Sequence, residues 1–348
     1  MSALADVRRR FRLPERTGPE RASRPRAGWL VVANKEFGDH VTSIRFVVLL
    51  LILAIAVAAP LYFASQTLRD LAQQASGFPA IFLALFTTSS QDIQIPRFYE
   101  FVGLLAPLLG IAFGFDAVNV ERTQGTLPRL VSQPIHRDDV INGKFAAGLA
   151  VIAVMLGALT ILVAALGIVR LGIVPSATEV LRLFAWFVLA LVYVGFWLAL
   201  ATLLSVAIRQ AAASALISIG IWFFLVILWS LPASIIASVL APAVTSDATA
   251  IAAQRLPGEI LRLSPSTMYS EGSFVLLNPV LTPQQRFDQF GVASIGQATQ
   301  LGQQLSYTFF SIDQSIALVL PQVIALIALT LIAFALSYVL FMRQEVRA

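Results

Sequence analysis

The apolar residues of this chain lie in long blocks between charges, without the short stripes that wrap a soluble core. Spanning roughly 30 Å of hydrocarbon by helix takes about 20 apolar residues. Six intervals between charges meet or approach that length: Arg45 to Arg69, Glu100 to Asp116, Lys144 to Arg170, Arg182 to Arg209, Arg209 to Asp247, and Asp313 to Arg343. They predict helices near Phe46 to Ala64, Phe98 to Val118, Phe145 to Val169, Leu183 to Ile208, Ala211 to Leu231, and Ile316 to Phe341. The second has only 15 uncharged residues, which puts Glu100 and Asp116 at the two interfaces. A seventh interval, Leu71 to Gln91, is interrupted by Gln73, Gln74, Ser76, Gly77, Pro79 and a Thr-Thr-Ser-Ser-Gln run, and reads as a re-entrant or interfacial piece.

Composition agrees with a chain that sits mostly in a bilayer. Of 348 residues, 58% are hydrophobic and 12% charged, about half the charged share of a soluble domain. The charges also give direction. With six spans, 17 of the 24 Lys and Arg fall on the side of the N-terminal tail and 7 on the other. By the positive-inside rule both termini are cytoplasmic, in a multi-pass protein of the plasma (cytoplasmic, inner) membrane. The basic balance is therefore read as orientation and attraction to anionic membrane lipids, with no nucleic acid partner.

The predicted class is an all-α membrane protein organised in five parts. Residues 1-28, with eight arginines and three prolines, form a basic cytoplasmic tail that cannot bury enough surface to fold alone. Residues 29-43 mix Trp29, Leu30, Val31, Val32, Phe37 and Val41 with Lys35, Glu36, Asp39 and His40, which suits an amphipathic helix lying at the interface. Spans 1-5 and a cytoplasmic loop, 116-144, occupy 44-232. An extracytoplasmic segment, 233-313, precedes span 6 and the cytoplasmic C-terminus in 314-348.

Chemistry of its own is hard to find in the chain. There is no cysteine and there are two histidines, so thiol nucleophiles and Cys/His metal clusters have no parts. No phosphate loop occurs; Gly143-Lys144 is followed by Phe145 and lacks both the earlier glycine and the hydroxyl ligand for magnesium. The H-E-x-x-H and G-x-S-x-G patterns are missing as well. No ionisable group falls near the centre of any predicted span, which leaves no visible proton relay. The expectation is a non-enzyme with no catalytic residue, metal or cofactor, and with an external energy source.

One segment carries a pattern. Gly125 can turn the chain at the end of the second span, and Thr126 can cap a short helix with Pro128 in its first turn. Leu127, Leu130 and Val131 give that helix an apolar side and Pro134 stops it. Asp138 and Asp139 would sit in the first turn of the third span, where the helix dipole favours negative charge. The spacing E-R-x-x-G-T-L-x-x-L-x-x-x-P-x-x-R-x-x-x-x-x-G-K, from Glu121 to Lys144, resembles the intracellular loop of ABC-2 type transporter permeases. The nearest likeness is to the branch with the nitrous-oxide reductase maturation permease and efflux permeases. Lys35-Glu36-Phe37, Ser43 and Arg45 resemble the family's N-terminal pattern, whereas Pro128 departs from it.

The resemblance implies a permease subunit, most often of an exporter, with a coupling helix that docks on a separate ABC ATPase. ATP and magnesium then belong to that partner. The implied coupling residues are Glu121, Arg122, Gly125, Thr126, Leu127, Leu130, Pro134, Arg137, Gly143 and Lys144. Glu121 and Arg122 could pair with the partner, pair with helix ends, or anchor the interface. A second permease subunit, identical or a paralogue, is also implied.

The 82 residues from Pro232 to Asp313 are too long for a bare connection. Short helices are expected after Asp247, around Gly258 to Leu263, after Thr282-Pro283, and from Ala293 to Phe310. The resemblance makes this region an outer gate; a dimer contact or a docking face for an extracytoplasmic partner fits equally. Gly110 and Gly114 form a G-x-x-x-G pair that permits close helix packing, although glycine is common in membrane helices. Two rival functions remain: a non-transporting anchor that passes ATPase motion to an envelope partner, and an ion-driven carrier or channel.

Overall fold

In the computed structural model, residues 27–72, 80–88, 96–123, 125, 136–172, 174–243, 245–281 and 308–343 are described. The order is α1 (Gly28–Val41), α2 (Ile44–Ala72), α3 (Ala84–Thr87), α4 (Phe98–Gly114), α5 (Asn119–Thr123), α6 (Arg137–Leu171), α7 (Ala177–Ala207) and α8 (Ala211–Trp222). A π-helical stretch, Phe223–Leu228, leads to α9 (Ser230–Leu240), α10 (Asp247–Leu261) and α11 (Pro265–Leu277). A two-residue antiparallel pair, β1 (Val280–Leu281) and β2 (Thr308–Phe309), precedes α12 (Ile312–Arg343).

Among the described residues, six helical stretches are long and apolar enough to cross a membrane: Ile44–Gln66, Phe98–Thr123, Arg137–Arg170, Ala177–Ala207, Ala211–Leu228 and Ile312–Arg343. Their outward faces carry Ile52, Ile55, Ile161, Leu216 and Leu331, all exposed. Exposed aliphatic faces on helices that satisfy their own backbone groups suit a lipid solvent.

At the centre stands α7, with Trp186, Tyr193, Val194, Trp197, Leu198 and Ala201 buried. The helix α4 reaches it by close backbone approach. A Cβ added at Gly110 would lie 2.7 Å from the Val194 carbonyl oxygen and 2.8 Å from the Leu198 nitrogen. One added at Gly114 would lie 2.7 Å from Ala201 Cβ and 2.9 Å from the Leu198 carbonyl oxygen. Pro107, inside α4, has no N–H to offer the Gly103 carbonyl. The buried Tyr193 hydroxyl donates to that carbonyl at 2.9 Å instead.

The helix α11 was not among those the sequence predicts, and it lies buried in the bundle. Ser264 caps it and Pro265 occupies its first turn. Tyr269 stacks on Tyr193 at 4.6 Å between ring centroids and donates to the Tyr99 carbonyl at 3.1 Å. Trp186 Nε1 donates to Ser273 Oγ at 3.1 Å. Glu271 accepts from Arg262 Nε at 2.8 Å and from Gln322 Nε2, on α12, at 3.2 Å. Arg182 is 1% exposed and donates to the Leu276 and Phe310 carbonyls and to Ser315 Oγ. Buried polar groups need such partners.

These contacts amend one expectation. Arg182, near the start of α7, and Glu271, on α11 outside the predicted spans, are buried among the helices, so the segment before the last span is not wholly peripheral. The two short helices expected after Asp247 and at Gly258 to Leu263 are one, α10, with Arg262 and Leu263 beyond its end. Those expected after Thr282 and over most of Ala293 to Phe310 lie outside the described residues, as does the basic tail through Arg26. Of the interval Leu71 to Gln91, Leu71 and Ala72 end α2 and residues 80–88 are described: Phe82, Leu83, Leu85 and Phe86 are buried, and the Phe82 N–H donates to Glu179 Oε1 at 2.9 Å.

Candidate functional site

The described residues of the Glu121 to Lys144 pattern lie at the end of the bundle where α2 and α6 begin. The helix α1 runs over Gly28–Val41, close to the predicted 29-43, and lies along the start of α6. The contact needs a glycine on α6: a Cβ on Gly143 would meet Val32 Cβ at 2.7 Å and the Trp29 carbonyl oxygen at 2.8 Å. Asp139, in the first turn of α6, accepts from the Trp29 N–H at 3.0 Å and so satisfies a donor at the start of α1.

Lys144 forms the junction. Its Nζ lies 2.9 Å from Glu121 Oε1 and 3.1 Å from Glu36 Oε1, with all three side chains 10 to 14% exposed. One ammonium thus ties α1, α5 and α6 together. Nearby, Arg45 forks onto Asp116 at 2.7 and 3.2 Å, donates to the Ala112 carbonyl at 2.9 Å, and lies 5.2 Å from the centre of the Phe115 ring. Bidentate pairs of this kind fix geometry as well as charge.

Arg122 turns the other way. Its guanidinium donates to the Val206 carbonyl at 3.2 Å and the Ser205 carbonyl at 3.5 Å, placing positive charge at the C-terminal end of α7. Ser205 Oγ accepts from the Val118 N–H at 3.1 Å, so the short helix α5 is held against the end of α7. Gly125 adopts φ +65° and is exposed with open space around it, consistent with a turn. Arg137 is the first residue of α6. Thr126, Leu127, Leu130 and Pro134 lie outside the described residues.

Glu121, Arg122, Gly143 and Lys144 bind the root of the loop to α1, α6 and α7. Sequence reasoning identified Lys144 and Glu121 but not that Glu36 completes the bridge, nor that Asp116 holds Arg45. Among the described residues no group of three His, Asp or Glu could hold a metal ion.

His40 sits beside this cluster, edge-on to the Phe113 ring at 5.1 Å between centroids. Burial pushes its pKa below the usual imidazole value, with Lys144 and Arg45 adding to the shift and Glu36 and Asp116 opposing it. A histidine held neutral in the fold stabilises it above the unfolded pKa, and that contribution is lost as pH falls from there through the folded value. The melting temperature of the full chain should therefore drop on acidification from pH 7 to pH 5. The drop should be smaller in His40→Gln, and an unchanged pH profile in that variant would remove His40 from the account.

Comparison with curated proteins finds no match. A family match is clear: residues 30–346 fit the ABC-2 family transporter protein family, from α1 to just beyond the last span. With nearly the whole sequence covered and six membrane-length helices in place, the chain belongs to the ABC-2 family of transporter proteins.

Proposed function

We propose that this chain is the membrane-spanning permease of an ATP-binding cassette exporter whose ATP hydrolysis takes place on separate nucleotide-binding subunits. Membership of the ABC-2 family implies an ABC ATPase partner and a dimeric arrangement in general. The observation that carries the coupling half of the reading is the Lys144 bridge. It joins the root of the 116 to 144 loop to α1 and α6 through charge pairs that are almost fully withdrawn from solvent. A push on the loop would then reach α4 and α6 as a rigid displacement, and α4 in turn packs backbone to backbone on α7. Such a device would let closure of two ATPase subunits bias a central path between inward and outward access. Both termini and the loop face the cytoplasm in this reading, in keeping with the excess of Lys and Arg on that side.

Co-isolation of the full chain with its natural neighbours tests the proposal. A phosphate-loop ATPase should accompany the chain, and Leu127→Asp with Leu130→Asp should release it while leaving the melting temperature of the permease in place. Substrate flux through the chain alone, in vesicles without nucleotide, would overturn the proposal.

A further inference from the structure

We propose that a phospholipid is resident in the groove between α2 and α6, in the leaflet at the end of the bundle opposite Lys144, with its phosphate on Arg170. The groove is a cavity of about 190 Å³ lined by both helices and by Leu85. Both helices run away from the Lys144 cluster, so residue number measures depth on each. On α2 the lining passes from Ala58 and Leu61 to Tyr62 and Ser65, and on α6 from Leu166 and Gly167 to Arg170. At 1.5 Å per residue these are steps of about 10 Å and 6 Å. Each goes from purely apolar to hydroxyl or guanidinium, the same order as the acyl, glycerol and phosphate parts of a lipid.

Three further observations fit a lipid. The floor is made by Leu85, which is buried and reaches the groove because Gly167 has no side chain: an added Cβ would collide with Leu85 Cδ1. Tyr62 is 50% exposed and Leu166 37% exposed, so the groove opens on the lipid-facing surface. Arg170 is exposed at the rim, where it already makes a contact, and its guanidinium carries five donors. Charge complementarity with a phosphodiester selects a phospholipid over a neutral amphiphile, and guanidinium suits phosphate geometry.

Native mass spectrometry of the detergent-purified full chain, titrated with phosphatidylglycerol, tests the assignment. The chain should retain one lipid after stripping of the annular shell. Arg170→Gln should weaken retention about tenfold, the scale of a lost charge-assisted hydrogen bond. Ala58→Trp, which fills the apolar end, should abolish it. Arg170→Gln changes an exposed side chain and keeps the test valid even where Ala58→Trp fails to fold. Retention by Arg170→Gln equal to that of the unaltered chain, or no retained lipid at all, would overturn the proposal. So would a cross-link between two copies of Tyr62→Cys, which would give the groove to protein.

Discussion

Replacing Lys144 with methionine is expected to destabilise the protein by about 3 to 5 kcal/mol, the scale seen when one partner of a buried ion pair is removed. The ammonium stands 2.9 Å from Glu121 and 3.1 Å from Glu36, and the two carboxylates are only 10 and 14% exposed. Taking it away leaves two partly desolvated negative charges facing one vacated position. The loss comes from those unpaired charges more than from the lost attraction, which gives the test a second arm. Lys144→Met combined with Glu36→Gln and Glu121→Gln should recover most of the stability, because no buried charge is then left alone. Thermal unfolding of the full chain in detergent reads both variants. A single variant that melts like the unaltered protein would mean that α1 is not held to the loop root by this bridge.

The second large effect is on helix approach. Gly110→Leu should prevent α4 from seating on α7, since even a methyl group there would press on the Val194 carbonyl and Leu198 nitrogen, which are backbone atoms with no rotamer to change. Overpacking of one core position costs roughly 1–3 kcal/mol and more where nothing can shift. In lipid, close packing also replaces the hydrophobic drive between helices. Gly110→Leu with Gly114→Leu should therefore leave little folded protein. Glycine loss alone is not the cause: Gly38 and Gly220 have open space around their would-be Cβ atoms. Alanine at either of those two should raise helix stability by up to about 1 kcal/mol. Equal yields and melting temperatures for Gly110→Leu and Gly220→Ala would contradict the account.

How much of this could be read from the sequence follows from the range of each signal. The spans were legible because hydropathy sums over about 20 residues, and each predicted segment overlaps its helix. The first even extends from Ile44 to Ala72, beyond the predicted Phe46 to Ala64. The helix before the first span was legible from Trp29 and the interleaved charges. What escaped was whatever depends on a distant partner. The helix α11 carries its start signal in Ser264-Pro265, but Ser266, Ser270, Glu271 and Ser273 make it read as an exposed loop. Its burial comes from Tyr193, Trp186 and Gln322, which lie 51 to 87 positions away in sequence or are met only through ring stacking.

The same holds for charge. Arg182 marked a span boundary in the sequence, yet in the fold it binds two carbonyls and a serine contributed by the chain from α11 to α12. At the loop root, Glu121, Arg122, Gly143 and Lys144 were legible as a pattern and their contacts were not. Lys144 needs Glu36 from 108 positions earlier, and Arg122 needs the end of α7 more than 80 positions later.

The central claim is that an ATPase docks on the loop that this root supports. Photo-crosslinking from single positions in the full chain, expressed with its natural neighbours, tests it most directly. A photoreactive residue at Leu127 or Leu130 should give an adduct with a phosphate-loop ATPase, and one at Val169, at the far end of α6, should give none. An adduct from Val169 and none from the loop would contradict the account and its orientation together.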